Sequence, residues 1–187
     1  TPRSDARREN GGYGAARCTV RRMRSLHDDI QKILLTKEEI ADKVDELSER
    51  INRDYAGQQP MLIGVLKGSF VFMADLIRRI NNYCTIDFMA VSSYGNQTIT
   101  TGAVQIDKDL SHDIAGCDIL IIEDILDSGV TLNYLKGYLT NRRPSSLRIC
   151  TLLDKPERRK ADIIADYSGF NIPDAFVVGY GLDYAER

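Results

Sequence analysis

Hydrophobic positions in the first ordered part of the chain recur at the spacing of an amphipathic helix. The first such stripe consists of Ile40, Val44, Leu47 and Ile51. Thr36 precedes it with Glu39 three residues later, which is the pattern of a capping box. Gly57 and Pro60 follow the last apolar position and predict the end of this helix and a linker.

Beyond Pro60 the pattern changes to short apolar runs separated by helical stripes. Residues 61–66, 118–122 and 147–153 are nearly continuous apolar runs, which are typical of buried parallel strands. Two further strands are predicted over 85–91 and 104–106, and 175–178 is predicted as the last strong strand. Helical stripes follow the first two runs, at Met73, Leu76, Ile77 and Ile80 and over residues 131–141. Strands that alternate with helices predict an α/β domain with a mainly parallel sheet.

Composition and charge limit the class of protein. The 187 residues fit one domain, and 43% hydrophobic with 28% charged residues is typical of a globular chain. No run approaches the roughly 20 apolar residues of a membrane helix. The net charge of −2 gives no overall attraction to nucleic acid or to an anionic membrane. The four cysteines form no C-x-x-C pair, so neither a zinc site nor a disulfide scaffold is expected.

Residues 1–25 differ from the rest, because seven arginines stand there against two acids and no apolar period is present. We expect a flexible basic tail over 1–25 and a single folded domain over 26–187.

The candidate chemistry begins where the run 118–122 ends. Glu123 and Asp124 follow it directly, and Asp127-Ser128-Gly129-Val130-Thr131 leads into the next helix. In parallel sheets ligands gather at the carboxyl ends of strands. Gly129 permits close approach of the backbone, and the amides and hydroxyls of 128–131 at a helix amino end suit a phosphate. The two acids can accept hydrogen bonds from a ribose diol.

The alternative is a strand that ends in solvated acids, with Asp127 or Ser128 as a helix cap. That interpretation leaves the combination of three acids, a glycine and two hydroxyls unexplained. The segment is neither a Walker loop nor a Gly-x-Gly-x-x-Gly dinucleotide loop. From the residues alone, a flavodoxin-like phosphate or nucleotide binder remains open.

The segment 121–131 closely resembles the phosphoribosyl pyrophosphate signature of type I phosphoribosyltransferases. The resemblance implies that Glu123 and Asp124 hold the ribose hydroxyls and that Asp127 lies beside the attacked carbon. It also implies that the 5′-phosphate is bound by Ser128, Gly129, Val130 and Thr131.

The segment 62–69 resembles the pyrophosphate loop of hypoxanthine-guanine phosphoribosyltransferases, with Lys67 and Gly68 as the binding residues. In that family the peptide before the lysine can be cis, so the resemblance implies a cis bond between Leu66 and Lys67. A plain strand-to-helix turn is the alternative.

Residues 92–102 are polar and glycine-bearing, and they predict a loop that is too long for a tight hairpin. Ser93 and Tyr94 resemble the pair that closes over the reacting centre in this family. A closing lid would keep water from an oxocarbenium-like centre. Taken alone, the segment predicts no more than a loop.

Lys155 follows the run 147–153, and by resemblance it donates to O6 of a purine. A cation there suits a 6-oxo group and disfavours a 6-amino group, because two donors would face each other. A solvated surface lysine is the alternative.

The segment 173–183 resembles the base-binding stretch of the same family. The resemblance implies that Phe176 stacks on the purine, that the Val177 backbone contacts the base edge and that Asp183 binds Mg²⁺. Core packing for Phe176 and a surface carboxylate for Asp183 are the alternatives. Family members continue with a further strand and an arginine that helps bind pyrophosphate, and the resemblance assigns that arginine to no position here.

Taken together, the resemblance covers residues 30–187 and implies a mainly parallel twisted sheet flanked by helices, with a small hood subdomain. It implies transfer of phosphoribosyl to hypoxanthine or guanine, with Mg²⁺ held by Asp183, Glu123 and Asp124. A cytoplasmic homodimer or homotetramer that binds small molecules but no nucleic acid or membrane is expected. Use of xanthine or another base, and a non-catalytic phosphoribosyl pyrophosphate sensor, remain alternatives.

Overall fold

Helices and strands alternate along the part of the chain that the computed structural model describes, residues 32–93 and 104–182. The elements are α1 (Lys37–Asp54), β1 (Met61–Leu66), α2 (Phe70–Ile77), β2 (Thr85–Ser93), β3 (Val104–Lys108), β4 (Asp118–Leu126), α3 (Val130–Thr140), β5 (Ser146–Asp154) and β6 (Tyr167–Asn171). A short 3-10 helix, Pro156–Arg158, follows β5.

The strands form one sheet in the order β3-β2-β1-β4-β5-β6. Among the strands of the described residues, β3 alone is antiparallel to its neighbour, and the other pairs are parallel. The predicted mainly parallel α/β sheet flanked by helices is therefore confirmed.

Both faces of the sheet are covered, which explains the continuous apolar runs of the central strands. Leu120 and Ile122 of β4 pack in a cluster with residues of α1 and α2, including Leu47 and Phe72. The intervening residues of β4, such as Ile121, pack in a second cluster with three leucines of α3. Successive side chains of a strand point to opposite faces, so one strand contributes to both clusters.

The helix boundaries follow the sequence signals closely. The Glu39 backbone N–H donates to the Thr36 hydroxyl at 3.2 Å, and the Thr36 N–H donates to the Glu39 carboxylate at 2.7 Å. This is the predicted capping box. The helix α3 begins one residue before the predicted start and ends one residue before the predicted end.

The prediction of a strand over 175–178 is wrong, and the last strand in the described part of the chain is instead β6. Phe176 and Val178 are exposed, so this apolar run does not lie inside the sheet. The strand β6 was missed because Tyr-Ser-Gly-Phe-Asn carries little apolar periodicity. It lies at the sheet edge, where Gly169 closely approaches the Leu152 carbonyl: an added Cβ would lie 2.4 Å from that oxygen.

None of the helices in the described ranges is both long and apolar enough to cross a membrane. The predicted boundary between residues 25 and 26 lies outside these ranges and stays a prediction.

Candidate active site

The sheet topology brings the loops that carry the candidate residues to one edge. The neighbouring strands β1, β4, β5 and β6 are parallel, so their carboxyl ends lie on the same side of the sheet. Lys67 follows β1, Asp127 follows β4, Lys155 follows β5, and the segment with Phe176 follows β6.

The loop after β1 packs directly against an acid of β4. A Cβ atom added at Gly68 would lie only 1.9 Å from Oδ2 of Asp124, so only glycine leaves room for that carboxylate. The Leu66–Lys67 peptide is cis, as the resemblance implied. Lys67 is exposed, whereas Ser69 is buried and donates its hydroxyl hydrogen to the Val65 carbonyl at 2.7 Å.

Glu123 and Asp124 form a shielded pair of carboxyl groups. Burial, and next the adjacent Asp124, raise the pKa of Glu123 well above its ordinary value. Burial likewise raises the pKa of Asp124, although the Ile125 N–H donates to its Oδ1 at 2.8 Å. The buried Oε2 atom of Glu123 has no hydrogen-bond partner among the described residues. Both acids therefore lie where a cation or a hydroxyl donor would stabilise their charged form.

The turn between β4 and α3 requires glycine for two reasons. Gly129 has a φ of +77°, in the left-handed region, and a Cβ there would lie 2.5 Å from Cγ2 of the buried Ile163. The helix α3 begins at the next residue, so its first backbone N–H groups have no carbonyl partner within the helix. Ser128 and the exposed Thr131 flank this amino end.

Backbone hydrogen bonds hold the loop after β4 to the segment after β5. The Lys155 N–H donates to the Leu126 carbonyl at 3.0 Å, and the N–H groups of Lys160 and Ala161 donate to the Ser128 carbonyl at 2.9 and 3.2 Å. The candidate phosphate loop and the candidate base-binding lysine thus have a fixed relative position.

Lys155 is buried, with 6% of its surface exposed, which excludes the interpretation as a solvated surface lysine. Its Nζ donates to the Ala175 carbonyl at 2.6 Å. The ammonium group therefore reaches the segment that carries Phe176.

Phe176 is 75% exposed, so core packing does not account for it. The adjacent Val177 is partly buried and packs against the α1–α2 side of the core. The aromatic ring is thus presented at the surface from an anchored backbone.

Two arginines after β5 contact the acid-bearing loop, and sequence reasoning missed both. Arg159 donates to the backbone carbonyl groups of Leu126, at 3.0 Å, and Asp127, and it pairs with Asp154. Arg158 lies with its Nε 2.7 Å from Oδ1 of Asp127. In sequence both stand in a charged surface-like stretch, and only the backbone link between the two loops indicates their contact with Asp127.

Three of the predicted site residues lie wholly or partly outside the described structure. Ser93 is the last residue of β2 and pairs with Val104, but its side chain is not described. Tyr94 and Asp183 lie outside the described residues. The lid pair and this metal ligand therefore stay predictions.

Comparison with known proteins places this arrangement in a family. Residues 31–185 match the model of the phosphoribosyl transferase domain. The hypoxanthine-guanine phosphoribosyltransferase of Bacillus subtilis is 58% identical over 159 residues, which cover 85% of this chain and 88% of that protein.

Solved structures give the same result. A hypoxanthine phosphoribosyltransferase from Staphylococcus aureus superposes with a TM-score of 0.84 at 53% identity, covering 89% of this chain and 91% of that one. A hypoxanthine-guanine phosphoribosyltransferase from Bacillus anthracis has a TM-score of 0.81 at 54% identity, covering 84% and 93%. The chain belongs to the phosphoribosyltransferase family, with the fold of these purine enzymes.

Proposed function

We propose that the chain transfers the 5-phosphoribosyl group of phosphoribosyl pyrophosphate to hypoxanthine or guanine, yielding IMP or GMP and pyrophosphate. The reaction salvages free purine bases. The observation that carries the proposal is the convergence of a glycine turn before a helix, a shielded acid pair and an exposed aromatic ring at one sheet edge.

The sugar phosphate is bound by the loops after β1 and β4. The N–H groups at the start of α3, which have no carbonyl partner within the helix, and the hydroxyls of Ser128 and Thr131 bind the 5′-phosphate. Glu123 and Asp124 accept hydrogen bonds from the ribose hydroxyls, and Lys67 with Gly68 binds the pyrophosphate. The unpaired, buried Oε2 of Glu123 supports this role, because a buried acceptor without a partner is costly.

The acid pair also fits Mg²⁺, which prefers oxygen ligands. No group of three or more potential ligands occurs among the described side chains. Mg²⁺ commonly binds one or two carboxylates together with substrate phosphates and waters, so Glu123, Asp124 and Asp183 would hold it jointly with substrate. When bound, the ion supplies positive charge that neutralises the leaving pyrophosphate.

The base lies between Lys155 and Phe176. Phe176 stacks on the purine, and the Val177 backbone contacts the edge of the base. Lys155 donates to O6, and its burial supports a specific role for the ammonium group over a solvated one. A 6-amino group in that position would place a donor against a donor, so adenine is disfavoured.

Transfer begins as the bond between C1′ and the pyrophosphate oxygen breaks and positive charge develops on the ribose. N9 of the base attacks C1′ while Asp127 accepts the proton from N7. Ser93 and Tyr94 close over this centre and exclude water.

The proposed enzyme acts in the cytoplasm as a homodimer or homotetramer. Phe70 at the start of α2 is about half exposed, which supports an apolar contact between copies.

A base panel tests the function. The protein is mixed with Mg²⁺ and phosphoribosyl pyrophosphate, and guanine, hypoxanthine, xanthine, adenine or uracil is added in turn while ultraviolet spectra are recorded. We expect consumption of guanine and hypoxanthine, dependence on both Mg²⁺ and phosphoribosyl pyrophosphate, and no change with adenine or uracil. Consumption of neither oxopurine would refute the proposal.

A further inference from the structure

Arg158 joins the proposed general base to the segment that holds the purine ring. Its Nε lies 2.7 Å from Oδ1 of Asp127, and its Nη1 donates to Oδ1 of Asp174 at 3.0 Å. Asp174 stands two residues before Phe176. One guanidinium group therefore spans a carboxylate of the loop after β4 and a carboxylate of the segment after β6.

The position of Arg158 is fixed from both sides along the chain. It ends the 3-10 helix that follows Lys155, and the N–H of Arg158 donates to the Lys155 carbonyl at 3.1 Å. Arg159 is anchored to the backbone of Leu126 and Asp127. The guanidinium of Arg158 thus projects from a short rigid turn and not from a long loop.

The contact of Arg158 with Asp127 is an ion pair between partly exposed side chains, although the Oδ1 atom of Asp127 is itself buried and accepts no hydrogen bond among the described residues. The side chains of Arg158, Asp127 and Asp174 are 46%, 40% and 51% exposed. Ion pairs at such positions contribute little to the free energy of folding. The planar guanidinium does, however, hold both carboxylates, that of Asp174 by a hydrogen bond and that of Asp127 by its charge at 2.7 Å.

We infer that Arg158 is a positioning residue that orients the Asp127 carboxylate relative to the bound purine, with Asp174 as its second anchor. The inference rests on the proposed function, since it concerns the proton transfer from N7. The arginine does not touch the reacting atoms in this account. It holds the carboxylate oxygen of Asp127 that accepts the proton, and it fixes the position of that oxygen relative to the segment that carries Phe176.

Single variants give the first test. We expect Arg158→Gln to lower kcat by roughly 3- to 30-fold, because small displacements of a catalytic group are costly. The KM for phosphoribosyl pyrophosphate and the melting temperature should stay at the unaltered values. Arg158→Lys should restore only part of kcat, because an ammonium cannot span two carboxylates in one plane. Lys136→Gln, which removes one positive charge from the exposed side of α3, is the charge-matched control.

A double-mutant cycle separates positioning from a structural effect. In an Asp127→Asn background, Arg158→Gln should change kcat by no more than about 2-fold, because the residue through which it acts is gone. Asp174→Asn combined with Arg158→Gln should be no slower than Arg158→Gln alone. Multiplicative losses in either pair, an unchanged kcat in Arg158→Gln, or a rise confined to the KM for phosphoribosyl pyrophosphate would each overturn the inference.

An assay of the unaltered protein distinguishes failure of this inference from failure of the proposed function. If it converts no oxopurine, the proposed function fails. If it converts hypoxanthine or guanine while Arg158→Gln matches it in kcat, the function stands and the positioning role fails.

Discussion

Asp127 is the residue on which the proposed proton transfer depends, because it ends the acid-rich loop and pairs with Arg158 at the base side. We expect Asp127→Asn to lower kcat by roughly 10²- to 10⁴-fold, the usual contribution of a general base. Steady-state kinetics with hypoxanthine or guanine measure this. The exposed Asp162→Asn is the matched control, and an unaltered kcat in Asp127→Asn would remove Asp127 from the role.

Replacement of Lys155 should affect binding of the base and leave binding of the sugar phosphate nearly unaltered. Replacement by Ala removes a charged donor to O6, so we expect oxopurine affinity to fall roughly 10- to 100-fold, the range for a hydrogen bond to a charged group. Affinity for phosphoribosyl pyrophosphate should change far less. Calorimetric titration of each ligand measures both values, and equal losses would argue against the contact with O6.

At the scale of elements, the turn from β4 to α3 is constrained by its glycine. Gly129→Ala places a Cβ against Ile163 and keeps a positive φ, so we expect the free energy of unfolding to fall by about 1–3 kcal/mol. Urea unfolding followed by circular dichroism measures the change.

The helix α3 offers an internal control for this prediction. Gly137 lies in its interior, and a Cβ there would meet no heavy atom within 4 Å. Gly137→Ala should raise the free energy of unfolding by roughly 0.5–1 kcal/mol, because alanine favours helix more than glycine does. The two variants should thus differ in sign, and equal effects would contradict the assigned backbone constraint at Gly129.

The buried carboxylate of Asp87 links strand β2 to the segment after β3. Burial would raise the pKa of Asp87, but hydrogen bonds from the Phe88 and Ser111 N–H groups and the Lys108 ammonium outweigh burial and lower it below the ordinary 3.8. The His112 imidazole lies 3.5 Å from the same carboxylate. Asp87 therefore contributes stability above pH 3.8, and this contribution is lost as the pH falls through the lower folded-state pKa.

We accordingly expect Asp87→Asn to lower the free energy of unfolding at pH 7 by about 1–3 kcal/mol. Wild type and variant should converge as the pH falls through the lowered folded-state pKa of Asp87, where the wild-type carboxyl becomes protonated. Urea unfolding across this pH range measures the difference. The exposed Asp107→Asn in β3 is the control, and a difference that does not depend on pH would contradict the assignment.

The pattern of hydrophobic positions correctly predicted the strands that are buried on both faces and the helix that begins with a capping box. The strands β1, β4 and β5 are buried on both faces and therefore appear as apolar runs, and Thr36 and Glu39 mark the start of α1. The strand β6 lies at an edge and needs Gly169 for close approach, so its composition resembles a loop. The run 175–178 is apolar because it presents Phe176 at the surface, and apolarity alone does not distinguish that from a strand.

At the scale of the whole molecule, the site arises because parallel strands place distant segments at one edge. The acid loop could be predicted from the sequence because its functional residues are neighbours along the chain. Arg158 and Asp174 could not, because their contacts depend on how the turn after β5 is held against β4. The cis peptide before Lys67 followed from family resemblance and not from any local pattern.

The central claim is that the loop after β4 and the segment with Phe176 bind the two ends of one nucleotide. Calorimetric titration of GMP, guanosine and ribose 5-phosphate into Thr131→Val and Phe176→Ala tests it. Each variant should weaken GMP by roughly 1–3 kcal/mol, the range for a charged hydrogen bond or a stacked base. Guanosine should respond only to Phe176→Ala and ribose 5-phosphate only to Thr131→Val. GMP binding that is sensitive to one variant and indifferent to the other would contradict a single site spanning both segments.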